Sequence, residues 1–235
     1  MKKAKLIITG IMAIVIGTFG VQAEAQELSS VAAKADYSGM HGGIQFRHMK
    51  TVDINIQSQI DQARDAILNH GDLNMAVTRL DTVLKLDNTL TEAYFWRAYA
   101  KTELKKYHEA DNDYEEALMQ EPDNPALYYY RGLSKMYDYM SWDPPCTYQW
   151  QASEVIKCFD KALAIDNNYL EARIGIADVY LYWKNYEAAK KRYDELLVML
   201  PNNSVLQSRS EEVNNILAKQ EEQRKKDDLR RKINR

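Results

Sequence analysis

The chain has 235 residues, of which 28% are charged and 46% hydrophobic, and its formal net charge is −3. This balance argues against a nucleic-acid-binding or membrane-surface role for the body of the protein, because such surfaces are strongly basic. Its four histidines are scattered, and the sequence has no glycine-rich phosphate loop, GxSxG or HExxH motif. We therefore expect no catalytic site, no metal site and no cofactor.

Residues 1–25 have the layout of a secretory signal peptide. Lysines at the start precede a charge-free run over residues 6–23, and an A-x-A cleavage site follows at residues 23–25. An uncleaved membrane anchor is the alternative, but glycines and a glutamine weaken the end of the run. We expect cleavage and a periplasmic or secreted protein. Removal of residues 1–25 would make the chain more acidic, because three lysines and one glutamate are removed with them.

A flexible linker is predicted over residues 26–53, because this stretch is rich in serine and glycine and has no helical period. Within it, residues 44–47 alternate between apolar and polar, which allows a short extended piece. Asp53 is predicted to cap a first helix, since apolar residues follow it at helical spacing.

A 34-residue period governs the next part of the chain. Residues 91–124 and 170–203 align without a gap, and earlier and later stretches fit the same register. The predicted units are 57–90, 91–124, 125–169 and 170–203. Each unit indicates two antiparallel helices, with small residues such as Gly132 where the helices approach. Such a period predicts an all-α solenoid of four stacked helix pairs.

Unit three is 45 residues long and so carries 11 extra residues. Asp143-Pro144-Pro145 must break a helix, and Thr147 can cap the next one. Both helices of this unit should then be longer than the others and form a projecting hairpin. Trp142, Tyr148 and Trp150 at its tip are a candidate contact site; the alternative is that they pack against unit two or unit four.

Cys146 and Cys158 raise the question of a disulfide, as expected in an exported protein. If a helix begins at Thr147, the two residues are about 18 Å apart. A disulfide needs Cα atoms within ~7 Å of each other. The long helix and the disulfide exclude each other, and the capping and period signals favour the helix with two free thiols.

The C-terminal residues 204–235 predict a capping helix followed by a charged helical tail. Ser204 is expected to cap this helix, and Leu206, Val213 and Leu217 form the stripe that covers the end of unit four. Four acid-first i,i+4 pairs are expected in the tail: Glu221–Lys225, Glu222–Lys226, Asp227–Arg231 and Asp228–Lys232. A solvated extension is favoured, and a basic contact with anionic lipid or an acidic partner is the alternative.

Residues 57–203 resemble the tetratricopeptide repeat. Alanines, tyrosines and the closing Pro122 and Pro201 carry the resemblance. The departures are Asn88 and Asn167 in place of the closing proline, Val155 in place of a small alanine, and Arg97 and Arg131 in place of leucine. We expect these departures to loosen local packing. The family implies an α-solenoid whose first helices line a concave face.

The resemblance also implies which first-helix residues face that concavity. They are Asp61, Asp65, Asn69, Phe95, Tyr99, Glu103, Tyr129, Leu133, Met136, Tyr137, Ile174, Asp178 and Tyr182. This groove would be acidic at its N-terminal end and aromatic in its middle. The lysines and asparagines of the family's carboxylate clamp are absent, so an acidic C-terminal ligand is not expected. Alternatively, the aromatics pack only between helices, or residues 26–51 fold back over them.

The sequence thus predicts a non-catalytic interaction or scaffold protein of a bacterial envelope that binds a peptide or protein in an aromatic groove. The alternative function is a glycan-binding accessory protein, because tyrosine and tryptophan platforms also stack on sugars. Clustered, coplanar and exposed rings would favour that alternative. An enzyme would need a pocket with converging titratable groups, which the sequence does not indicate.

Overall fold

A computed structural model describes residues 44–46, 52–142 and 149–233. Within these ranges the chain forms nine α-helices and no strand. They are α1 (Ile54–Leu68), α2 (Leu73–Leu86), α3 (Thr91–Glu103), α4 (Tyr107–Gln120), α5 (Pro125–Ser141), α6 (Gln149–Ile165), α7 (Leu170–Tyr182), α8 (Tyr186–Met199) and α9 (Ser204–Ile233). None of these described helices is long and apolar enough to cross a membrane. The predicted signal peptide, most of the predicted linker and the predicted helix break at 143–145 lie outside the described residues.

Helices α1–α8 form four pairs, and each helix packs against the next along the chain. The first helices of neighbouring pairs also contact one another, α1 with α3, α3 with α5 and α5 with α7. Second helices of neighbouring pairs touch at most marginally. An array whose elements lie closer together on one side curves toward that side, so the first helices line the inner face. The predicted all-α solenoid is confirmed.

Three of the turns within pairs have the same helix-ending geometry. His70, Lys105 and Lys184 have left-handed backbone angles, with φ of 56°, 59° and 61°. The residue that follows each of them donates its N–H, at 2.8 Å, to a carbonyl five residues earlier. This is the Schellman arrangement, which satisfies carbonyls at the end of the first helix. One repeated turn therefore sets the geometry of pairs one, two and four.

Several helices begin at a short polar residue whose side chain caps them. As predicted, Asp53 caps α1, with the N–H of Asn55 donating to its carboxylate at 2.7 Å. The prediction that Ser204 caps the last helix is wrong. Asn203 does so, because its Oδ1 accepts from the N–H groups of Val205 at 3.1 Å and Leu206 at 3.0 Å. Ser204 is already the first helical residue, and a cap must precede it.

The Phe159 side chain packs between the third and the fourth helix pair. Its ring is fully buried and lies between α5 and α7. A Cβ added to Gly132 would lie 2.7 Å from one ring carbon, and a Cβ added to Gly175 would lie 2.9 Å from another. Both distances are too short for a real contact. The two glycines are therefore needed for space, as the sequence indicated for Gly132.

The arginines at leucine positions form ion pairs between repeats, which corrects the expectation that they loosen packing. Arg97 donates to Asp81 of the preceding pair at 2.7 Å and to the nearly buried Asp113 at 2.6 Å. Arg131 donates in the same way to Glu115, again 16 residues earlier. Arg97 is thus held by carboxylates from the second helices of the preceding pair and of its own pair, and Arg131 by carboxylates from the preceding pair. The charge of each guanidinium is therefore compensated where a leucine would be packed.

The third pair is extended, as predicted. Helices α5 and α6 have 17 residues each, whereas the helices of pairs two and four have 13 or 14. Cys158 lies within α6 as a half-buried free thiol. Its predicted companion Cys146 and the predicted cap Thr147 lie outside the described residues.

Helix α9 covers the end of the array with its first half. Leu206 and Val213 are fully buried against the fourth pair, and Leu217 is partly buried there. The second half is exposed and carries ion pairs on its own surface. Two of them are the predicted ones, Glu221–Lys225 and Glu222–Lys226, at 2.6 Å each.

The other two predicted tail pairs differ from those observed. Asp227 pairs with Arg230 and Asp228 with Arg231, each at 3.6 Å, three residues apart rather than four. Aspartate is one methylene shorter than glutamate, which favours the nearer partner. Exposed pairs of either kind contribute little to stability.

Candidate protein-interaction surface

Six aromatic side chains from α3, α5 and the end of unit three form one continuous cluster, here named the aromatic face. They are Phe95, Trp96, Tyr99, Tyr129, Tyr130 and Tyr169. Tyr130 lies at its centre, with its ring centroid 5.1 Å from Phe95, 5.7 Å from Tyr99 and 5.2 Å from Tyr129. Tilted and edge-to-face contacts of this kind favour one fixed arrangement of rings. The aromatic face is therefore a rigid surface that spans two repeats.

The repeat register explains why these rings meet. Phe95 and Trp96 occupy the fifth and sixth positions of unit two, and Tyr129 and Tyr130 occupy the same positions of unit three. Contact between α3 and α5 brings the two sets together. Sequence reasoning chose the fifth position and missed Trp96, Tyr130 and Tyr169. Trp96 and Tyr130 could have been found from the sequence, because position six is aromatic in two successive units.

Residues Ile44–Phe46 lie on the aromatic face. The Phe46 ring centroid is 5.3 Å from that of Phe95. Ile44 packs against the hydrophobic clusters of both the first and the second half of the array. The side-chain amide of Asn124, at the start of α5, donates to the backbone oxygen of Gln45 at 3.0 Å. A piece of the predicted linker thus crosses from repeat three to repeat two.

This contact decides one alternative left open by the sequence, because residues 44–46 do fold back over the aromatics. Phe95 has no exposed surface. Phe95 therefore lies beneath the aromatic face and is not accessible to a partner. Tyr99 and Tyr129 are partly exposed beside it. Residues 44–46 therefore cover part of the first-helix face on which the sequence predicts a groove.

At the predicted acidic end of the groove, the Arg64 side chain forms ion pairs with the carboxylates. Arg64 lies between the two predicted carboxylates, 2.8 Å from Asp61 and 3.4 Å from Asp65. It also lies 3.7 Å from Glu92, which accepts from the indole N–H of Trp96 at 3.3 Å. This network offsets much of the negative charge of unit one and connects it to the aromatic face.

Glu103 and Tyr137 occupy the C-terminal ends of α3 and α5 and are both partly exposed. Burial raises the pKa of the Glu103 carboxyl to about 7. The pKa of Tyr137 is raised by burial and, next, by the charges of Glu103 and Asp178. Three successive first helices thus place a carboxyl, a phenol and a carboxylate within electrostatic range. Glu103 takes part in none of the ion pairs found in the described part of the chain.

The predicted groove residues of unit four pack against, or form hydrogen bonds with, neighbouring residues of the fold. Ile174 is buried in the cluster that joins α7 to α8 and α9. Asp178 accepts from the Tyr193 hydroxyl at 2.5 Å and lies 4.0 Å from Arg209 of α9. Tyr182 packs against Trp183 with ring centroids 4.7 Å apart. Unit four therefore offers less free surface than its sequence indicated.

Leu133 and Met136, the other two predicted groove residues of α5, belong to the second hydrophobic cluster. Leu133 is partly buried there, and Met136 is buried. The predicted groove residues of the middle repeats that keep part of their surface exposed are Tyr99, Glu103, Tyr129, Leu133 and Tyr137. Partner binding by any of the predicted residues stays a prediction.

At the end of the extended hairpin, two exposed tryptophans pack on one tyrosine. Trp142 is 45% exposed and Trp150 is 55% exposed. Each ring centroid lies 5.7 Å from that of Tyr139, at interplanar angles of 80° and 77°. Each tryptophan ring thus meets the Tyr139 ring edge to face, and glycan binding stays a prediction. Tyr148, the third predicted tip residue, lies outside the described residues.

Among the described residues, no group of three His, Cys, Asp or Glu side chains is placed to hold a metal ion. The distinctive surface of the protein is the first-helix face with its rigid rings. Fold and surface together define a helical repeat solenoid, a class of protein in which stacked pairs present an extended inner face.

Comparison with known proteins identifies the repeat. The model of the tetratricopeptide repeat family matches residues 91–124. No curated protein matches the chain. One unit of the chain thus matches the tetratricopeptide repeat family, and the whole array has the fold of tetratricopeptide repeat proteins.

Solved structures show the same fold at low sequence identity. A tetratricopeptide repeat protein from Parabacteroides merdae is 20% identical over 85% of this chain and 68% of its own, with a TM-score of 0.57. A thermophilic tetratricopeptide repeat protein from Thermus thermophilus is 16% identical over 82% and 93%, with a TM-score of 0.54. An O-GlcNAc transferase from Thermobaculum terrenum is 18% identical over 64% of this chain but only 27% of its own, with a TM-score of 0.53.

Proposed function

We propose that this protein is a non-catalytic interaction or scaffold module of a bacterial envelope that holds a protein or peptide partner on its first-helix face. Tetratricopeptide repeat proteins generally act through protein–protein contacts. The observation that carries the proposal is the packing of Ile44–Phe46 on the aromatic face. It supports the view that this face accommodates a peptide.

The chemistry of the face suits such a partner. Rigid tyrosine and tryptophan rings provide a large contact area at low entropic cost, and their polar ends offer hydrogen bonds. Tyr99, Tyr129 and Tyr137 are partly exposed on adjacent helices. A partner lying along the inner face would contact more than one repeat at once.

Export is part of the proposal and rests on the leader-like residues 1–25 alone. The mature protein purified from bacterial cells is expected to begin at Gln26. N-terminal sequencing of the fractionated protein checks this. A protein that retains Met1 in the cytoplasmic fraction would overturn the envelope location and leave the binding proposal intact.

Site-specific photocrosslinking tests the binding face. Tyr137 is replaced by a photoreactive phenylalanine analogue, and Val198 in a second variant serves as the control. Val198 is 84% exposed on α8, a second helix. We expect a discrete crosslinked polypeptide from position 137 and not from position 198. The same products from both positions, or none from position 137, would contradict binding at the first-helix face.

A further inference from the structure

The segment Ile44–Phe46 gives a template for the ligand. We propose that the partner is an extended peptide with two apolar side chains separated by one residue, and that Ile44–Phe46 holds the same site until the partner displaces it. This inference rests on the proposed function, because it specifies the partner of the same face. Residues 44–46 occupy the aromatic face in the structure, and the partner that displaces them is a peptide of the same chemistry.

The pattern of burial defines that chemistry. Ile44 and Phe46 are partly buried against the array, whereas Gln45 between them is exposed. Alternation of this kind places residues i and i+2 on the same side of an extended chain. The central side chain is therefore free to vary in a partner, and the two flanking apolar side chains are the anchors.

One backbone contact fixes the position of the segment. Asn124 donates from its side-chain amide to the Gln45 oxygen at 3.0 Å and to Glu121 at 3.0 Å. Its own side-chain oxygen accepts from the N–H of Ala126 at 3.2 Å. Since the contact is to a backbone oxygen, it would be available to any extended peptide, regardless of sequence.

The internal contact has the features of a replaceable one. Both anchors keep part of their surface exposed, whereas Phe95 beneath them keeps none. Among the described residues, a single hydrogen bond joins residues 44–46 to the helices. The helices' own aromatic contacts, such as Phe95 with Tyr130 and Tyr114, do not involve the segment. The face can thus keep its shape when the segment leaves.

Competition makes a quantitative prediction. A ligand whose site is open only part of the time binds with an apparent Kd raised by the inverse of the open fraction. Removing the two internal anchors should bring the open fraction close to one. We expect an external peptide to bind the variant Ile44→Ala/Phe46→Ala at least about tenfold more tightly than it binds the wild-type chain.

The probe is a fluorescent peptide of residues 41–50, HGGIQFRHMK, added to the full-length chain and followed by anisotropy. A control peptide carries alanine in place of the isoleucine and the phenylalanine and has the same charge. Gln45→Ala in the chain is the matched control variant, because that side chain is exposed. We expect the control peptide to bind neither chain and Gln45→Ala to behave as wild type.

Asn124→Ser, introduced into the double variant, tests the backbone contact. Serine retains helix capping but is too short to reach the Gln45 oxygen. We expect it to weaken peptide binding severalfold while circular dichroism shows unchanged helix content. If the double variant itself loses helix content, Phe46→Leu replaces it, and a smaller gain in affinity is expected because leucine keeps part of the anchor.

The outcomes separate this inference from the proposed function. Equal affinity of the peptide for wild type and variant, or equal binding of the two peptides, would overturn the competition model. Peptide binding to the double variant without any crosslinked partner at position 137 would support the segment site and contradict the external partner. Crosslinking without peptide binding would leave the interaction module standing and remove the apolar-x-apolar ligand.

Discussion

The pKa of the Glu103 carboxyl differs between the folded and the unfolded chain. Burial on the inner face raises its pKa from 4.5 to about 7, while Tyr99, Tyr107 and Tyr137 lie within its electrostatic range. The folded state therefore binds the proton more tightly than the unfolded state does. The contribution of Glu103 to the free energy of unfolding is therefore fully present below pH 4.5, and it is lost as the pH rises through 7.

Glu103→Gln removes this pH dependence. We expect the free energy of unfolding of wild type, measured relative to the variant, to fall by about 2 kcal/mol between pH 5 and 8. Urea titrations at several pH values measure it, and each comparison at one pH cancels the other carboxylates. A constant difference between the two proteins would show that Glu103 titrates as an ordinary surface carboxyl.

Lys105 has a left-handed backbone, with φ of 59°. Such a conformation costs a side-chain-bearing residue about 1–2 kcal/mol, and glycine adopts it freely. We expect Lys105→Gly to stabilise the fold by up to about 1 kcal/mol after the entropic cost of glycine in the unfolded chain. Lys157→Gly is the control, because that exposed lysine lies within α6, where glycine costs about 1 kcal/mol. It should destabilise, and equal thermal shifts for the two variants would refute the backbone explanation.

At the scale of elements, the first half of α9 is a structural cap and the second half is a solvated extension. Leu206 and Val213 are buried at 1% and 0% exposure. Beyond Leu217 the residues are almost all exposed. Their ion pairs lie at the surface, where such pairs contribute little to stability.

Two truncations test this division of α9. A chain ending at residue 219 should lose little unfolding free energy, because only exposed ion pairs are removed. A chain ending at residue 203 loses two buried apolar side chains, Leu206 and Val213, and exposes their neighbours, which should cost about 3–6 kcal/mol. Thermal melts of both chains provide the measurement. Similar losses in the two truncations would mean that the tail has a partner elsewhere on the protein.

At the scale of the whole molecule, stability depends on contacts between neighbouring pairs. The buried side chains fall into three hydrophobic clusters along the array, and Phe159 belongs to the middle one. Its ring touches Gly132 of the third pair and Gly175 of the fourth. In a repeat array, the strength of such interfaces decides whether the units unfold together.

Phe159→Ala is expected to destabilise the chain by about 3–5 kcal/mol, because it leaves a cavity between α5 and α7. It should also uncouple the array, so that urea unfolding becomes broader or separates into two steps. Phe159→Leu is the milder companion variant and should keep a single transition. One sharp transition with an unchanged urea dependence in the alanine variant would show that other contacts couple the pairs.

The sequence by itself determined the repeat, the helix pairs, the longer third hairpin and the capping role of α9, because helical periodicity and the 34-residue register are local signals. Only the tertiary structure decided which side chains are free. Phe95 and Ile174 match groove positions yet are buried, Asp178 is bound by Tyr193, and Arg97 and Arg131 replace apolar packing with ion pairs. Each of these depends on residues distant in sequence. The same reason explains the contact of Phe46 with Phe95, since nothing local in residues 44–46 specifies where an extended piece of chain will lie.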